Sequence, residues 1–91
     1  MPLPRYAAKR DANEAEIVRA LRAVGATVQP LSIWGAGDLL VGFRGMNFML
    51  EVKTTKGEQR EVQRIYQQTW QGHYAVVRSA EDALKAIGAM E

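Results

Sequence analysis

The chain predicts one α/β domain, a layered sheet sandwiched between helices, and three observations carry that expectation. Helix-period and strand-period segments alternate in the order α-β-β-β-α-β-α, with helices before and after a central hairpin. The stretch around Arg44-Gly45 reads as a two-residue turn between two apolar-alternating strands, with glycine supplying the positive φ that tight hairpins require. Ninety-one residues at 47% hydrophobic content suffice for one compact domain with a modest core, over residues 11–91.

Residues 1–10 carry two prolines and no apolar periodicity, and are expected to form a basic N-terminal arm with little to bury. From Asp11 or Asn13, either of which can cap, a helix should run to about Val24, with Ile17, Ala20, Leu21 and Val24 as its apolar stripe and Gly25 closing it. A strand follows within 26–34, and Pro30 argues that it is an edge strand or bulged. After the hairpin and a loop at 54–57, a second helix is expected over 58–71. Its predicted inner side is Val62, Ile65, Tyr66, Thr69 and Trp70, which assigns Trp70 to the core. Residues 74–78 make a short strand around Ala75-Val76-Val77, and Ser79 with Asp82 forms a capping box for a last helix that buries Ala83, Leu84 and Ile87 and stops at Gly88.

Hairpin register turns this pattern into chemistry. With the turn at Arg44-Gly45, Phe43 pairs with Met46, Val41 with Phe48 and Leu39 with Leu50, so Asp38 falls opposite Glu51. Directly opposed residues have Cβ atoms roughly 5 Å apart, and two like charges so placed repel unless something sits between them. A hard divalent cation such as Mg²⁺ suits carboxylate oxygens. Alternation along the strand points Lys53 to the same face as Glu51, while Leu39, Val41, Phe43, Met46, Phe48, Leu50 and Val52 line the other. One face would build the core, and the other would bind a metal.

Composition bounds the alternatives. With no cysteine there is no disulfide scaffold, thiolate zinc site or cysteine nucleophile, which fits a reducing cytosol. The N-terminal residues lack the apolar run of a signal peptide and no stretch approaches membrane-spanning length, so an intracellular, cytoplasmic protein is expected. A net charge of +2 argues little alone, but Arg5, Lys9 and Arg10 precede the first acidic residue, and Lys53, Lys56, Arg60 and Arg64 follow the acidic pair closely. Such a basic flank would let a polyanion approach the carboxylates, although each of these residues taken singly reads as an ordinary solvated charge. Glu-x-Lys on a strand is likewise common as a solvated alternating face, and only its combination with Asp38 and the helix order raises it to a site. His73, the sole histidine, has no partner ligands near it in sequence and reads as structural or exposed.

The element order, Gly37-Asp38, Glu51-Val52-Lys53 and a first-helix glutamate together resemble the PD-(D/E)XK nuclease superfamily, most closely its small Holliday-junction-resolvase-like and VRR-NUC members, often encoded by phages. The resemblance extends from Asp11 to Gly88 and includes the segments 11–18, 38–45 and 70–72. It implies a restriction-endonuclease-like αβββαβα core with a mixed central sheet flanked by helices. It also implies a Mg²⁺- or Mn²⁺-dependent endodeoxyribonuclease. Asp38 and Glu51 match the motif carboxylates that bind the metal, Val52 would offer its backbone carbonyl, and Lys53 matches the catalytic lysine. Glu16 matches the first-helix glutamate that completes the site, with Glu14 as an alternative, and Gln63 matches a second-helix glutamine beside the active site. Lys9, Arg10, Lys56, Arg60 and Arg64 would contact nucleic acid. Gly37 stands where the motif's name promises proline, and proline there only stiffens the backbone.

Two functions follow as expectations. One is an endonuclease acting on branched or junction DNA as a homodimer, since a two-fold enzyme can cut two strands symmetrically. The other is a nucleic-acid-binding or partner-binding module that keeps the nuclease fold with weak or no catalysis, and would show salt-sensitive DNA affinity indifferent to divalent metal.

Overall fold

A computed structural model describes residues 13–31, 39–54 and 61–91, except for the side chain of Val62. The elements are α1 (Glu14–Ala23), β1 (Thr27–Pro30), β2 (Leu39–Phe43), β3 (Met46–Val52), α2 (Glu61–Thr69), β4 (His73–Val77) and α3 (Ala80–Ala86). This is the expected order, in a mixed four-stranded sheet arranged β1-β2-β3-β4. The predicted arm at 1–10 and the loop positions 55–57 lie outside the described residues.

The register follows from the turn. Arg44 (φ 50) and Gly45 (φ 80) both take positive φ, the requirement of a type I′ hairpin whose twist matches its flanking strands. β2 and β3 then pair Phe43 with Met46, Val41 with Phe48 and Leu39 with Leu50, as expected. β1 pairs antiparallel with β2 at the sheet edge, where Pro30 removes no interior ladder bond. β4 joins the other side of β3 in parallel, placing Val76 beside Glu51 and Val77 beside Val52. A parallel neighbour needs a crossover, and α2 supplies it.

α1 and α3 end alike. Ala26 N–H bonds Leu21 O and Gly25 N–H bonds Arg22 O, while Ala89 N–H bonds Leu84 O and Gly88 N–H bonds Lys85 O. These are Schellman closures around the left-handed Gly25 (φ 90) and Gly88 (φ 80). α3 opens on Ser79, whose Oγ accepts from Asp82 N–H at 3.0 Å, while Asp82 Oδ2 accepts from Arg78 N–H at 2.9 Å. The reciprocal half of the expected box thus lands one residue early.

The core joins Ile17 and Leu21 of α1 to Ala83 of α3 and Ile87 at its end, against Leu39, Val41, Phe43, Phe48, Leu50, Val52 and Val77 on one face of the sheet. Each fully buried aliphatic side chain here contributes about 1.5–3 kcal/mol. Three expectations need correction. Met46 is exposed, because it stands next to the hairpin turn where the helices no longer cover the sheet. Val24 is exposed too, since α1 ends before it and the Schellman closure turns it outward. In α2 the inner side is not the predicted stripe: Ile65, Thr69 and Trp70 are exposed, Tyr66 is half-buried, and Gln63 is buried at 5% exposure. Trp70 follows the last turn of α2 and lays its indole over Gly72, where an added Cβ would meet Nε1 at 3.0 Å. Among the described residues no helix is long and apolar enough to cross a membrane.

Candidate functional site

Glu51 is the one carboxylate among the described residues that is buried. It occupies the penultimate position of β3, its exposure is 0%, and the apolar neighbours Leu50 and Val52 on either side of it point into the core. By strand alternation Glu51 faces away from that core. Burying a charged group is costly without hydrogen bonds or opposite charge beside it. The hydroxyl of Tyr74 answers part of that requirement, donating to Glu51 Oε1 at 2.9 Å. Tyr74 sits in β4 two residues before Val76, the parallel neighbour of Glu51, so both side chains leave the sheet on the same face.

Lys53 continues the ladder past the end of β3. Its N–H donates to Val77 O at 3.0 Å, and its side chain is half-buried. Two residues from Glu51, it shares that residue's face, as expected. Its carbonyl accepts from Asn13 Nδ2 at 3.0 Å, and the same nitrogen donates to Arg78 O at 2.9 Å. Asn13 occupies the N-cap position of α1 without capping it through its side chain. Instead the carboxamide holds the ends of β3 and β4 against the start of the helix. Arg78 adds a second tie, donating through Nη1 to Thr54 O.

This attachment bears on the first-helix glutamates. Glu14 immediately follows Asn13 and lies on the stripe of the buried Ile17 and Leu21, at spacings of three and seven, and it is half-buried. Glu16 lies about 160° around the helix from Glu14 and is exposed. Measured from the buried Ile17 and Leu21 alone, Glu14 lies closer to the stripe than Glu16, and Glu14 is the one at the end nearer Lys53.

Gln63 is buried yet absent from the apolar core, the setting of a polar side chain with a defined environment. Val52 buries its side chain in the core, so that side chain cannot reach a ligand. Arg64 is exposed on α2, and His73 is exposed with its ring 4.8 Å from that of Phe48. Asp38, Lys9, Arg10, Lys56 and Arg60 lie outside the described residues, and with them the pairing of Asp38 opposite Glu51. Among the described residues alone, no group of three or more His, Cys, Asp or Glu gathers to hold a metal.

The sequence alone assigns Tyr74 no role and Asn13 only that of a possible helix cap. A signal for Tyr74 existed in the parity of β4, whose neighbour in the sheet could be inferred from a helix-length crossover. For Asn13 nothing in the sequence separates an ordinary cap from a clamp.

No protein-family model and no curated protein matches the chain. Among solved structures, one described as a VRR_NUC domain superposes with a TM-score of 0.67 at 26% identity, over 85% of this chain and 96% of that one. With its mixed sheet and the crossover through α2, the chain therefore has a restriction-endonuclease-like α/β architecture and a VRR-NUC-like nuclease fold.

Proposed function

We propose that the protein is a metal-dependent endonuclease that hydrolyses phosphodiester bonds in DNA, with branched or junction DNA as its substrate and a homodimer as its working form. The observation that carries this reading is the likeness in fold to a VRR_NUC domain, together with a fully buried glutamate two residues before a lysine at the end of β3. The donor chemistry fits Mg²⁺ or Mn²⁺: Glu51 is a hard oxygen ligand held in a shielded place, and Asp38 follows as its partner if the hairpin register continues one step beyond Leu39–Leu50. Asp38, Glu51, the Val52 carbonyl and Glu14, in place of the exposed Glu16, would hold the ion. Bound there, it supplies Lewis acidity that polarises the phosphate and eases deprotonation of water.

The protein's own groups do the rest. Lys53, a compact cation with a half-buried stem, orients the attacking water or offsets charge gathering on the phosphate oxygens. Gln63 offers a hydrogen bond to water or phosphate from a buried position on α2. Arg64 and the basic residues Lys9, Arg10, Lys56 and Arg60 draw the backbone of the nucleic acid toward the site.

Cleavage of a labelled four-way junction and of linear duplex by highly purified protein, with Mn²⁺, with Mg²⁺ and with chelator, tests this reading. Metal-dependent products that vanish in Asp38→Asn support it. Salt-sensitive DNA binding with no cleavage under any metal would replace it with a binding module that keeps the fold.

A further inference from the structure

We propose that Tyr74 is a positioning residue for Glu51, fixing the carboxylate that would hold the divalent cation; this rests on the nuclease reading above. The phenol donates to Glu51 Oε1 at 2.9 Å, and the Glu51 side chain has 0% exposure. Glutamate's terminal torsion is broad and roughly two-fold, so an untethered carboxylate rotates easily and loses that freedom on binding a cation. A hydrogen bond to one oxygen sets the plane of the group in advance and leaves the carboxylate oriented before the ligand arrives.

Two further observations make the tether effective. Tyr74 lies within β4 and pairs in register with Met49 of β3, so the parallel ladder fixes its backbone relative to the strand that carries Glu51. Its donor is also neutral. A lysine or arginine in the same place would stabilise the buried carboxylate but repel an incoming Mg²⁺ or Mn²⁺, whereas the phenol stabilises the anion and leaves the negative charge for the metal. Outer partners of metal ligands are typically worth 10–100-fold in metal affinity, and that is the scale expected here.

The test is calorimetric titration of the full chain with Mn²⁺, comparing the unaltered protein, Tyr74→Phe and Glu51→Gln, with thermal melts recorded without metal. The expected result is a Kd weakened about 10–100-fold in Tyr74→Phe, binding abolished in Glu51→Gln, and junction cleavage by Tyr74→Phe restored toward the unaltered rate as Mn²⁺ is raised. Should Tyr74→Phe fail to fold, Mg²⁺ titration of the unaltered protein carrying ¹³Cζ-labelled tyrosine replaces it: the Tyr74 resonance shifts and saturates with the metal. A Tyr74→Phe Kd within twofold of the unaltered protein while Glu51→Gln loses binding, or a stationary Tyr74 resonance, overturns this role and leaves the nuclease reading intact. An unaltered protein that binds no Mn²⁺ overturns both.

Discussion

Asn13 donates its side-chain amide to the carbonyl oxygen of Lys53 at 3.0 Å, tying the start of α1 to the end of β3 across forty positions of sequence. The same nitrogen reaches Arg78 O at 2.9 Å, so one carboxamide holds both strands of the parallel pair where the candidate site lies. Its Oδ1 is buried with no hydrogen-bond partner among the described residues. Asn13→Ala is therefore expected to remove two part-buried donations and to lower stability by about 1–3 kcal/mol. Urea denaturation checks this, through a lower midpoint at unchanged slope. Asn13→Asp, close in shape but turning an acceptor toward two carbonyls, should lose at least as much, and a midpoint equal to the unaltered protein in both variants would mean the clamp is idle.

The hairpin turn governs where Glu51 falls. Gly45 has φ 80 with open space around an added Cβ, so Gly45→Ala meets no steric neighbour and registers backbone strain alone. A loss of about 1–2 kcal/mol is expected from forcing an L-residue into the left-handed region, and Gly45→Asn should lose less, because asparagine tolerates that conformation. Chemical denaturation of the two variants measures the difference, and equal stability of both would contradict the assignment of strain.

Ser79 caps α3, which carries Ala83 into the core and leads to Ile87. Ser79→Ala should cost about 0.5–2 kcal/mol, and Ser79→Asp should recover most of it, read as melting temperatures. No loss in the alanine variant would show that Asp82 N–H finds another acceptor.

Much of this fold was legible because local rules and global pattern agree. The Arg44-Gly45 turn determines the pairing down to Leu39–Leu50, and the apolar alternation on β2 and β3 supports the same register. Gly25, Ser79 and Gly88 mark helix ends by backbone geometry and capping that act within a few residues. α2 departs from its expected stripe for a physical reason: hydrophobic periodicity assumes that apolar residues face inward, and here Gln63 is buried while Ile65 and Trp70 are exposed. The same assumption placed the exposed Val24 in the stripe of α1. Tyr74–Glu51 and Asn13–Lys53 join residues 23 and 40 apart, and such contacts exist only once the parallel strand has docked. The Glu51-Val52-Lys53 triplet is local in sequence, whereas Tyr74 becomes legible only through the parity of β4 once that strand is placed beside β3.

In the proposed nuclease, Glu51 is the carboxylate around which hydrolysis is organised. Its most direct test is the turnover of junction DNA by Glu51→Gln in saturating Mn²⁺, in protein shown by its melt to be folded. Replacing the carboxylate with an amide of the same shape should lower the rate by at least about a hundredfold, the scale on which single electrostatic contributors act in hydrolytic sites. A folded Glu51→Gln protein that cuts at the rate of the unaltered one would contradict the account.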